Sequence, residues 1–64
     1  MKTMTKEKAI EVLKNLGISV LLWRTSSLTT DKYQTLICEY GTVFAIAVYD
    51  RKTDNVVERF NVPK

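Results

Sequence analysis

Sixty-four residues make one domain, and 45% hydrophobic with 27% charged residues is the composition of an ordinary globular chain. The chain has no histidine, which removes the commonest general base and metal ligand, and its one cysteine cannot form an internal disulfide. With neither disulfide nor metal, oligomerisation is the supplement left to a domain this small, and a formal net charge of +3 is no more than solubility requires.

Residues 5–16 are predicted helical. Ala9, Val12, Leu13 and Leu16 recur at three- and four-residue spacing with Ile10 on their flank, and Glu7, Lys8, Glu11 and Lys14 fall opposite. Thr5 is the expected N-cap, and Gly17 suits the left-handed residue that ends a helix.

After Gly17 the hydrophobic period becomes 2. Residues 18–25 read as a first strand and residues 26–32, Ser-Ser-Leu-Thr-Thr-Asp-Lys, have the composition of a loop. A helix over 29–40 could be capped by Thr30 or Asp31. Tyr33, Thr35, Ile37, Cys38 and Tyr40 favour a strand over 33–40 instead. Gly41-Thr42 then predicts a two-residue hairpin that pairs Tyr40 with Val43, Cys38 with Ala45 and Leu36 with Ala47. Residues 43–50 form the next strand, 51–54 with Asn55 a turn, and 56–62 the last, with Pro63 closing the ladder. The expected fold class is α+β, one N-terminal helix packed on a four-stranded antiparallel sheet in an α-β-β-β-β meander.

Pairing without a bulge gives the sheet two apolar faces. One collects Leu36, Cys38, Tyr40, Val43, Ala45, Ala47, Tyr49, Val56, Phe60 and Val62, and its small centre predicts that the helix docks there. The other carries Ile37, Phe44, Ile46, Val48 and Val57, among Thr35, Glu39, Arg59 and Asn61. A single helix leaves that second face uncovered, so Phe44, Ile46, Val48, Ile37 and Val57 are the expected partner-binding residues. The partner is expected to be a protein, with a homodimer the simplest case.

Candidate chemistry is sparse. Cys38, mid-strand and without a histidine to activate it, is expected to be buried and inert. Glu39 and Glu58 fall on opposite faces under the same pairing and do not make an acid–base pair. No catalytic group, metal site or cofactor loop is predicted. Trp23, Arg24, Lys32, Arg51, Lys52 and Arg59, joined by Tyr33, could instead form a basic and aromatic surface that stacks bases and neutralises phosphates. No apolar run approaches the roughly 18 residues of a membrane span and no leader-like apolar region is visible, so a cytoplasmic location without membrane association is expected.

A helix followed by antiparallel strands resembles the first two-thirds of a double-stranded-RNA-binding domain. The second helix and its basic N-terminal residues are missing, so no binding residue carries over. The stretch Ala47-Val48-Tyr49-Asp50-Arg51-Lys52-Thr53-Asp54-Asn55-Val56-Val57 is similar to the closing hairpin of small PepSY-type domains. The uncovered apolar face leads to the expectation of a small non-enzymatic interaction protein of inhibitor or adaptor type, a kind often encoded by phages and other mobile elements. The alternative is a small basic nucleic-acid-binding module.

Overall fold

The structure, a computed structural model, describes residues 2–64. Its elements in chain order are β1 (Lys2–Thr3), α1 (Lys6–Asn15), β2 (Ser26–Thr29), β3 (Tyr33–Tyr40), β4 (Val43–Asp50) and β5 (Val56–Pro63). The sheet is five-stranded in the order β1-β5-β4-β3-β2. It is mixed rather than wholly antiparallel, because β1 runs parallel to β5, with Lys2 beside Phe60 and Thr3 beside Asn61.

The helix begins and ends as its sequence dictates. Thr5 is extended at the N-cap and its Oγ1 accepts the Lys8 N–H at 3.2 Å. At the other end Gly17 takes φ +77°, its N–H reaching the Lys14 carbonyl and the Ile18 N–H reaching Leu13, each at 2.9 Å. This double bond pattern satisfies two carbonyls that a helix end leaves open, and it turns Ile18 back against Leu13 in the core.

The expected strand over 18–25 does not form. Ile18 is buried and Val20 and Trp23 pack on the core, while Leu21 and Leu22 point away, 90% and 62% exposed. Inward positions spaced by two and then three residues follow an irregular path against the core, which the alternation of apolar residues disguised. The strand falls in the segment expected to be a loop. Ser26–Thr29 pairs antiparallel with Gln34–Ile37, and the turn closes with a 2.9 Å bond from the Thr30 N–H to the Tyr33 carbonyl.

The central hairpin has the expected register, including Tyr40 with Val43, Cys38 with Ala45 and Leu36 with Ala47, and Gly41 takes φ +54° in its turn. On the next pair the register slips, because Tyr49 faces Val56 while Val48 faces Glu58. Val57 is the extra residue of a bulge. Beyond it every side chain of β5 lies on the face opposite to that expected. Phe60 sits beside Ile46 and Val62 beside Phe44, while Arg59 and Asn61 lie beside Ala47 and Ala45. Glu58 thereby joins the side that carries Glu39, a correction to their expected separation across the sheet.

The helix covers the other face from the one expected. Ala9, Leu13 and Ile18 form the core with Ile37, Phe44, Ile46, Val48, Phe60 and Val62. Burying a large aliphatic or aromatic side chain contributes about 1.5–3 kcal/mol, and the Ile, Phe and Val face carries these at its centre, where the opposite face has Cys38, Ala45 and Ala47 at its centre and its larger side chains, Leu36, Tyr40, Val43 and Tyr49, towards its borders. Burial gain decides the docking, and room beneath the helix does not. Thr35 is fully buried in the same layer, and its hydroxyl has no hydrogen-bond partner among the described residues.

Candidate functional site

The sheet face turned away from the helix is built of cross-strand rows. Leu36, Ala47 and Arg59 make one row, Cys38, Ala45 and Asn61 the next, and Tyr40, Val43 and Pro63 the third. Tyr49 stands beside Gln34 at the far end. Because Cys38, Ala45 and Ala47 are short, the middle of the face is low and its borders are high. A depression of about 400 Å³ lies over Ala45 and Ala47, bordered by Tyr40, Val43, Arg59 and Asn61. A second of about 450 Å³ is lined by Gln34, Leu36, Tyr49, Arg51 and Asp54, beside it across the Leu36–Ala47 pair.

Most of this face touches water. Tyr40 is 65% exposed and Leu36 38% exposed, while Val43, Ala45, Ala47 and Tyr49 are half-buried. Its fixed polar contacts lie at one margin, where Thr29 Oγ1 donates to Gln34 Oε1 at 2.7 Å and Gln34 Nε2 donates to Ser27 Oγ.

The expected partner-binding residues fare differently. Ile37, Phe44, Ile46 and Val48 are core, none more than 4% exposed, and present no surface to a partner. Only Val57, at the bulge, is exposed. The apolar face that the helix leaves open is the one expected to lie beneath it. Cys38 moves with that face, so it is half-buried on the open side rather than sealed in the core.

The basic and aromatic candidates do not converge. Trp23 stacks on Phe44 with ring centroids 5.5 Å apart, and Arg24 is exposed beside it. Lys6 Nζ lies over both rings, 5.9 and 5.8 Å from their centroids, and Lys64 Nζ lies 5.4 Å from the Phe44 ring, within reach of a cation–π attraction. Lys32, Arg51 and Lys52 occupy the opposite end of the sheet, since Phe44 and Asp50 bound a strand length of about 20 Å. There Arg51 Nη1 donates to the Thr30 carbonyl at 2.8 Å, and the Lys52 N–H donates to Asp50 Oδ1 at 2.8 Å. Asp31 and Asp50 line the same hollow as Lys32 and Lys52. Arg59 lies on the open face, where Arg51 lines the neighbouring depression.

The two glutamates each hold a lysine. Lys2 Nζ lies 3.2 Å from Glu58 and Lys64 Nζ lies 3.4 Å from Glu39. They sit opposite Val48 and Phe44, about 13 Å apart along β4, too far to share a proton with one substrate. Among the described residues no cluster of three metal-ligating side chains occurs, and no helix is long and apolar enough to cross a membrane.

Sequence reasoning missed Leu36, Tyr40, Val43 and Tyr49 as surface residues by assigning them to the helix side. It also missed Leu21 and Leu22. The contrast in side-chain volume between the two faces was the signal available for the first group. No protein family, curated protein or solved structure matches the chain.

Proposed function

We propose that this chain is a small non-enzymatic interaction protein that binds another protein, as an inhibitor or adaptor would, through the open face of its sheet. The observation that supports it is the apolar character of a face turned to water. An antiparallel sheet covered on one side should be polar on the other. Here Leu36, Tyr40, Val43, Ala45, Ala47 and Tyr49 stand there, with Gln34, Arg59 and Asn61 among them. Tyrosines suit interfaces because each offers a large rigid body with a polar tip. The low Ala45–Ala47 floor suits a rounded apolar element such as a partner's amphipathic helix, and Arg59 at its border suits an acidic group on that partner. A reducing compartment such as the cytoplasm suits the half-buried Cys38 thiol on this face.

The nucleic-acid reading has less behind it, because Trp23 and Arg24 lie at the other end of the sheet from Lys32, Arg51 and Lys52, and Lys32 and Lys52 neighbour Asp31 and Asp50. The test uses the whole chain as bait, beside the variants Tyr40→Ala and Ala45→Glu, with circular dichroism to establish that both are folded. A protein captured by wild type and then purified should bind each variant about 30-fold more weakly, the size of an interface hot spot. Equal affinity for folded variants would overturn the reading. So would binding to generic single-stranded or duplex nucleic acid with a steep salt dependence and no protein partner.

A further inference from the structure

We infer that β2 is the seam of a symmetric dimer, in which the β2 strands of two copies pair antiparallel and join two five-stranded sheets into one. This is a different surface from the open face proposed above, and it rests on backbone parity together with the exposed residues beside the strand.

The two sheet edges are unlike. At the β5 side, β1 covers the strand and Lys2 and Glu58 form an ion pair there, so a second chain meets charge. At the β2 side the outermost strand is Ser26-Ser27-Leu28-Thr29, with no charge and no proline. Natural sheets protect free edges with charged residues, proline or a covering element, and β2 has none of these on the strand itself.

Parity then selects a register. The Thr30–Tyr33 bond closes the turn, and hydrogen-bonded pairs alternate along an antiparallel ladder. Leu28 and Ser26 therefore bond inward to β3, while the N–H and C=O groups of Ser27 and Thr29 point outward. In the antiparallel register that sets Ser27 of one copy against Thr29 of its partner, all four outward groups of each strand are satisfied. The two-fold axis then passes beside Leu28, which faces its own counterpart in a close, non-hydrogen-bonded pair.

The side chains agree with that register. Leu21, Leu22 and Leu28 line one concavity of about 220 Å³ with Ser19, Arg24 and Ser26. The exposure of Leu21 and Leu22 has no explanation in the single chain. Two copies would bring Leu21, Leu22 and Leu28 of each protomer around the axis. An uncharged edge whose register matches itself about Leu28, with a self-complementary apolar strip beside it, points to a second copy of this chain as the occupant.

The experiment is sedimentation equilibrium of the full chain across micromolar to millimolar concentration, with four variants. Wild type should approach twice the 7.4 kDa of the chain. Ser27→Pro removes an outward N–H, which an edge strand tolerates, together with the exposed Ser27 Oγ–Gln34 Nε2 bond, and should leave a folded monomer. L21E/L22E alters side chains already in water and should do the same. Leu28→Cys in a Cys38→Ser background should form an intermolecular disulfide, since facing residues in such a pair lie within bonding reach. Ala45→Glu should leave the mass unchanged, which separates this seam from the open face. Wild type monomeric at every concentration would overturn the dimer. A dimer that survives Ser27→Pro and L21E/L22E, or that Ala45→Glu abolishes instead, would overturn the seam.

Discussion

The two faces of the central hairpin are made from the same eight-residue strands and differ in what lies on them. On one, Ile37, Phe44, Ile46 and Val48 are sealed in the core with α1 and with Val20 and Trp23 of the segment after it; on the other, Leu36, Ala45, Ala47 and Tyr49 meet water. Both are apolar. The difference is side-chain volume, and with one helix to place, the fold covers the face that gains more from being covered. An apolar pattern on both sides of a strand therefore does not reveal which side is the core. The bulky side does, and the small, tyrosine-bordered side is left for something else.

Adjacent residues should break this comparison most sharply. Ile46→Lys buries a charge with no counter-ion at the centre of the core, which costs several kcal/mol. A domain of this size holds roughly 3–10 kcal/mol in total, so the variant should be unfolded by circular dichroism at 25 °C. Its neighbour Ala45→Lys, pointing the other way, should fold. Next in size is Leu13→Ala, which empties the helix side of the same layer and should lower the free energy of unfolding in urea by about 2–5 kcal/mol. A loss below about 0.5 kcal/mol would mean that α1 does not dock on that face.

Thr35→Val should act in the opposite direction. The Thr35 hydroxyl is buried without a partner among the described residues, and removing it while keeping the shape should stabilise the domain by about 1 kcal/mol, read as a higher urea midpoint. Destabilisation would show that the hydroxyl bonds an internal water. The smallest effect is Ala47→Phe. On the open face the ring has room, and the stability should change by no more than about 0.5 kcal/mol. Beneath the helix it would cost about 1–3 kcal/mol, so the thermal midpoint separates the two placements.

How much was legible differs from element to element. The helix, both of its caps and the β3–β4 hairpin follow from local chemistry: Thr5 with its oxygen ahead of the first turn, Gly17 and Gly41 at positive φ, and a period that changes from 3.6 to 2. The β2 assignment failed because Ser26–Thr29 has no local strand preference and is held by pairing with β3. Residues 18–25 failed for the converse reason, since their alternation reflects an irregular wrap around the core. The extra residue at Val57 leaves no mark in composition, yet it alone moves Phe60 and Val62 into the core and Arg59 and Asn61 onto the open face.

By itself, then, the sequence determined an α+β domain with one capped helix, a central hairpin in fixed register, and more apolar sheet surface than one helix can cover. Those properties depend on residues close together in the chain, where φ preferences and hydrogen-bond geometry act directly. Only the tertiary structure decided which face the helix takes, that Lys2–Thr3 adds a parallel strand, and that β2 stands uncharged at an edge beside Leu21 and Leu22. Each of these depends on summed burial and on pairing between distant segments. A one-residue shift in such pairing reverses the facing of a whole strand, and no local preference records it.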